Sequence, residues 1–213
     1  MRKSYLFAAL VVAATGLGLT SASATNLIVN GDFANPDVVG NWAIYPNGGV
    51  PGWTSNNNET EIDYQAVVMP TFYQSIPGQS MELNGNQPDT ISQTVTGLMV
   101  GDKYLLSWGY GDRPGGGGDY EAQVWFGGSL VTTDFGNGSG IWSTNSFVVT
   151  ADATSEVLSF IGIEDGSSPS YGNEIADVSL DQVPEPATLA LFGAGLLGFT
   201  GFAAMRRRKT TML

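Results

Sequence analysis

Between residues 25 and 183, apolar side chains recur at every second position in short runs. Clusters of Gly, Pro, Asn and Asp separate the runs. That period of two is the signature of strands with one buried face, and no stretch of this region carries the 3.6-residue period of an amphipathic helix. The pattern predicts strands over Asn26–Val29, Thr60–Tyr64, Ser80–Leu83, Thr90–Thr96, Lys103–Tyr110, Tyr120–Phe126, Ile141–Thr150, Glu156–Glu164 and Glu174–Asp181. Eight or nine strands in this length predict an all-β domain, a two-sheet jelly-roll sandwich spanning residues 25–182.

Alternation also assigns faces. Tyr104, Leu106, Trp108 and Tyr110 share one side of their strand, and Tyr120, Ala122, Val124 and Phe126 share one side of the next. In the last strand Ala176, Val178 and Leu180 alternate with Ile175, Asp177, Ser179 and Asp181, so Ile175 is expected to face away from Val178. Most of the Trp and Tyr residues are expected in the core. Glu121, Gln123 and Trp125 fall on the side opposite Ala122 and Val124. An aromatic ring beside an amide and a carboxylate suits a sugar, whose C–H face stacks while its hydroxyls take hydrogen bonds. Trp53 and Trp142 are further candidate platforms.

The two ends break the period. Arg2-Lys3, an apolar run from Tyr5 to about Leu19, and the small residues Thr20-Ser21-Ala22-Ser23-Ala24 have the three-part order of a secretory signal peptide over residues 1–24. Signal peptidase would cut after Ala24, with Ala22 and Ala24 as the small pair it reads. Near the other end, residues 187–205 are almost wholly apolar and long enough to cross the hydrocarbon layer as a helix. Arg206, Arg207, Arg208 and Lys209 follow at once. Such a cluster stays cytoplasmic and leaves the preceding domain outside, the orientation that the signal peptide also demands. Pro184-Glu185-Pro186 precedes the span. Proline lacks an amide donor and pushes its predecessor toward extended geometry, so this segment is expected to be open to a processing enzyme.

Composition narrows the chemistry. The 213 residues contain no Cys and no His, which removes disulfides, thiolate sites and every His-dependent triad or metal centre. The net charge is −12, and between the ends only Lys103 and Arg113 are basic. A phosphate backbone would be repelled, so nucleic-acid binding is not expected, whereas hard cations such as calcium would be attracted. Gly115–Gly118 lacks the Lys-Ser/Thr of a phosphate loop and reads as a hairpin tip. No catalytic signature stands out, and a chain this rich in acids forms many chance carboxylate pairs. The expectation is a protein that is not an enzyme; a glycosidase working with two carboxylates is the least favoured alternative.

Pro184-Glu185-Pro186, the apolar span and Arg206, Arg207 and Arg208 together resemble the PEP-CTERM sorting signal, within a segment 183–213. The resemblance implies a substrate of an exosortase in a Gram-negative bacterium that makes exopolysaccharide. It implies an intermediate held in the inner membrane by a transient C-terminal span, its domain facing the periplasm, and then release to the outer surface or matrix. The domain is similar to the galactose-binding-like jelly rolls, which include several carbohydrate-binding modules. The resemblance rests on Asn26–Phe33, Pro51-Gly52-Trp53, Ser80–Gly85, Thr90–Val95, Tyr104–Trp108 and Ile175–Leu180. It implies binding of exopolysaccharide or another glycan, and a structural calcium held by an acid on the last strand, here Asp177. The Glu expected after Phe33 is Ala34, which leaves Asp32 as the stand-in. The alternative is a matrix or adhesion protein acting through protein contacts.

Overall fold

The computed structural model describes residues 25–64, 78–113, 121–136, 141–163 and 172–184. The signal peptide with Ala22 and Ala24, the Gly115–Gly118 tip, Tyr120, Glu185, Pro186, the span 187–205 and Arg206–Arg208 lie outside the described residues. Among the described residues eleven strands are formed: β1 Trp42–Tyr45, β2 Thr54–Ser55, β3 Thr60–Tyr64, β4 Gln79–Glu82, β5 Thr90–Thr96, β6 Lys103–Asp112, β7 Glu121–Phe126, β8 Ser129–Phe135, β9 Ser143–Thr150, β10 Ser155–Ile163 and β11 Asn173–Gln182. They pair antiparallel into a six-stranded sheet, order β1-β3-β4-β11-β6-β9, and a five-stranded sheet, order β2-β5-β10-β7-β8. This is the two-sheet jelly-roll sandwich that the alternation predicts. Among the described residues there is no helix, so none is long and apolar enough to cross a membrane.

The core lies between the sheets. Tyr104, Leu106, Trp108 and Tyr110 from β6 meet Ala122, Val124 and Phe126 from β7, and all are buried. Phe160 sits at the centre, 6.1 Å from the ring of Trp53 and 6.0 Å from that of Trp108, and Phe33 closes on Trp53 at 5.4 Å. Tilted and edge-on rings at these spacings are the favourable aromatic geometries. Both buried indoles are satisfied: Trp53 Nε1 donates to the Asn30 carbonyl at 3.1 Å and Trp108 Nε1 to Asp134 Oδ2 at 2.7 Å. Trp53 is therefore a core residue and not a platform, a correction that follows from its burial.

Three departures from the predicted pattern have physical causes. First, Asn26–Val29 is not a strand. Two side-chain amides take over its pairing. Asn26 Oδ1 accepts from Ile28 N and Leu180 N, while Gln93 Oε1 accepts from Val29 N and Gln93 Nε2 donates to Val29 O. Second, β11 bulges. Its register against β6 slips between Ala176 and Ser179, and Asp177 takes a left-handed φ of 46°. The extra residue resets the alternation, so Ile175, Val178 and Leu180 all reach the core, against the expectation for Ile175. Third, β1, β2 and β8 were not legible as strands. For β8 the cue was Gly127-Gly128, whose φ values of 58° and 80° fit the two-residue hairpin turn that joins β7 to β8.

Phe160→Ala empties the centre of this aromatic cluster. It is expected to cost about 3–5 kcal/mol of unfolding free energy, read as a lowered denaturation midpoint at unchanged slope. A loss below about 1 kcal/mol would mean that the packing described is not what holds the sheets together.

Candidate functional site

The predicted sugar-facing residues fall where alternation put them. Glu121, Gln123 and Trp125 are half-buried on the outward face of β7, while the residues between them are in the core. They are linked in a row: Trp125 Nε1 donates to Gln123 Oε1 at 3.1 Å, and Gln123 Nε2 donates to Glu121 Oε1 at 3.4 Å. Across the sheet Trp125 stands opposite Leu130 and Ser159, Gln123 opposite Thr133 and Ile161, and Glu121 opposite Phe135 and Ile163. Leu130 and Phe135 are exposed. The face therefore carries two aromatic rings among amide, carboxylate and hydroxyl groups. Trp142 lies elsewhere. Its ring packs on Gly111 so closely that a Cβ there would come within 2.8 Å.

The structure also brings Asp32 and Asp177 to one open depression of about 400 Å³. Partial burial and then the charge of Asp32 raise the Asp177 carboxyl above its ordinary range. The bulge places Asp177 here: Val178 N donates to the Gly31 carbonyl at 2.9 Å and ties β11 to the Asn30–Phe33 turn. As a calcium site the depression is thin. Asn26 Oδ1 already accepts two amides, Asn30 Oδ1 accepts from Asn35, and Asp32 Oδ1 accepts from Ala34. Two exposed carboxylates remain, against the six to eight oxygens that calcium takes.

A third arrangement was not foreseen. On the six-stranded sheet, Glu61 and Asp63 flank the core residue Ile62, Ser80 and Glu82 flank Met81, and Glu174 precedes Ile175. These polar side chains thus point away from the core, on the sheet's other face. Register aligns Glu61, Glu82 and Glu174 across three neighbouring strands, with Asp63 beside Ser80. All four carboxyl groups are nonetheless buried, Asp63 and Glu174 completely. Arg113, just past β6, donates from Nη1 to Glu82 Oε2 at 2.8 Å. Neither oxygen of Asp63, neither oxygen of Glu174, nor Glu82 Oε1 has a hydrogen-bond partner.

The electrostatic consequence is direct. Burial first, then the Asp63 charge, pushes Glu61 up to about 7 and Glu82 up to about 9, although Arg113 pulls both down. Glu174 is held well above the ordinary carboxylate range by burial, Asp63 and Glu82. Beside Glu61 and Glu82 lies a cavity of about 10 Å³, also lined by Glu59, Asn86 and Asp89. That is roughly the space of one water or one ion. Gly85 has no side chain because a Cβ there would collide with Glu61 Oε2. The sequence cue was present: Glu-Ile-Asp, Met-Glu-Leu and Glu-Ile-Ala set acids next to core positions in predicted strands. Only the register shows that three of them form a row.

Fold and sites together define an antiparallel jelly-roll sandwich with an acidic sheet face and a mixed aromatic–polar one. Residues 182–209 match the PEP-CTERM protein-sorting motif. Over 192 residues, 85% of its length, the chain is 30% identical to halomucin of Haloquadratum walsbyi, and it spans about 2% of that relative. A family 35 carbohydrate-binding module from Clostridium thermocellum aligns with a TM-score of 0.42 at 12% identity, covering 66% of this chain and 98% of that one. TmCBM61, solved in complex with beta-1,4-galactotriose, aligns at 0.42 and 13% identity, covering 75% of this chain and 99% of that one.

Carboxyl groups whose folded pKa lies above the unfolded one leave the native state holding more protons, so stability falls as pH rises. With chelator present, the melting temperature is therefore expected to drop as pH is raised from 4.5, through about 7, to about 9. A melting temperature that climbs across that range would mean the buried acids are ionised and compensated without added cations.

Proposed function

We propose that this is an exported surface protein whose jelly-roll domain binds carbohydrate, the exopolysaccharide of its own host above all, without catalysing a reaction. The observation that carries the reading is the hydrogen-bonded row Trp125–Gln123–Glu121 on the outward face of the five-stranded sheet. The row fixes the indole plane, and Phe135, Leu130 and Thr133 extend the surface on the adjoining strand. A ring held in place stacks on a sugar face with little further loss of side-chain freedom, and the neighbouring hydroxyls and amides can then take the sugar's polar edge. The sorting motif supports the same reading, because a domain sorted by exosortase would lie among such polymers. In this account the host is a Gram-negative bacterium, the signal peptide is cut after Ala24, and the span anchors the protein, domain toward the periplasm, until exosortase acts near Pro184-Glu185-Pro186. Asp32 and Asp177 form at most a weak, solvent-open calcium site.

The matrix or adhesion reading has one observation in its favour. Leu130 and Val131 at one sheet edge and Phe147 and Val148 at the other line an open cleft of about 320 Å³. Exposed apolar edge strands can pair with another chain.

Titration of the full chain in detergent with host exopolysaccharide is expected to saturate. Trp125→Ala should weaken that binding about 10–30-fold, the effect of losing a central aromatic contact. Equal affinity in Trp125→Ala, or no binding to any glycan together with self-association, would favour the matrix reading. In cells, deleting Arg206–Lys209 is expected to leave the protein unprocessed and membrane-held; normal processing without that tail would contradict the sorting account.

A further inference from the structure

We propose that the outward face of the six-stranded sheet holds a divalent cation, of the size of calcium, between Glu61, Asp63 and Glu82, with Glu174 behind them. Ligand oxygens of Glu61, Asp63 and Glu82 all lie within 4.8 Å of one another. Oxygens around one calcium ion sit about 2.3–2.6 Å from it and hence up to about 5 Å from each other, so three such atoms can share an ion.

A group of acids alone would carry no such inference, because exposed acids are common. These are buried, and a second observation points the same way. Glu174 comes from a different strand, is wholly buried, and has neither carboxyl oxygen in a hydrogen bond. It stands opposite Glu82 in the register, and its carboxyl group lies against that of Asp63. The buried Ser80 hydroxyl is beside it. Carboxyl oxygens set against one another need either a proton or a cation between them. Arg113 supplies one positive charge to four carboxyl groups, and its guanidinium is placed on Glu82 Oε2, leaving Glu82 Oε1 open. Buried ions without compensation are strongly destabilising. A divalent ion removes most of the excess, and the all-oxygen donor set selects a hard cation. The small cavity next to Glu61 and Glu82, with Glu59, Asn86 and Asp89 on its wall, has room for one further oxygen ligand such as a water.

The inference does not depend on sugar binding, because it is tested with calcium alone. The full chain in detergent is stripped with chelator and titrated with calcium by calorimetry. Binding should persist in Asp32→Asn/Asp177→Asn, which removes the other candidate pair. It should weaken at least about 10–100-fold in Glu61→Gln/Glu82→Gln, since even residues that merely support metal ligands cost that much. Binding unchanged in the second variant, or absent from the unmutated chain, overturns the inference. Should that variant not fold, terbium can be seated in place of calcium in chains that keep every carboxylate. Trp42 is exposed and pairs with Asp63 across β1 and β3. Trp42→Phe is therefore expected to reduce tryptophan-sensitised terbium emission more than Trp125→Phe, which lies on the other sheet. The reverse order would place the ion away from this face and overturn the inference.

Discussion

Four carboxyl groups are buried in the middle of a β-sheet with one guanidinium among them, and the six-stranded half of the sandwich has to accommodate that charge. The strands cannot slip to relieve it. Ile62, Met81 and Ile175 are locked into the core, and moving any of these strands by one residue would send its apolar set outward and its acids inward. The packing of one face therefore dictates the electrostatics of the other. Protons or a cation must then neutralise the row, which is why burial raises Glu61, Glu82 and Glu174 together.

Much of the fold was legible from period-two alternation alone. The bounds of Thr60–Tyr64 and Thr90–Thr96 coincide with the observed strands. These are runs of β-branched and aromatic residues between turn-forming clusters, where local propensity and burial agree. Legibility ended where side chains replaced backbone as pairing partners or where the backbone broke its period. Asn26 and Gln93 satisfy the N-terminal segment through their amides, and no propensity rule anticipates a partner 64 residues away. Asp177 shifts the phase of β11 by adopting a conformation that non-glycine residues seldom take.

The sites divide in the same way. The Glu121–Gln123–Trp125 row lies on one strand, so spacing alone placed it on one face. Asp32 and Asp177 were paired through family resemblance, and a bulge and a turn do bring them to one depression, though most of its oxygens are already engaged. The Glu61–Asp63–Glu82–Glu174 group comes from three strands, of which β3 and β11 are far apart in the chain. Its existence depends on register across β3, β4 and β11, which no single stretch of sequence encodes. The two faces then suggest a division of labour. In the proposed function the five-stranded sheet would offer its aromatic and hydroxyl groups to a polymer, while the six-stranded sheet would hold a cation among its acids.

The most direct test of this electrostatic account is the protonation state of the buried acids in the unmutated full chain. Carbon-13 NMR of labelled Glu and Asp carboxyl carbons, recorded at neutral pH, would report it. In chelator, Glu82 should appear as a neutral acid, and calcium should convert it to a carboxylate. A Glu82 carboxyl already ionised in chelator would contradict the account, and one that stays neutral in saturating calcium would show that protons alone neutralise the row.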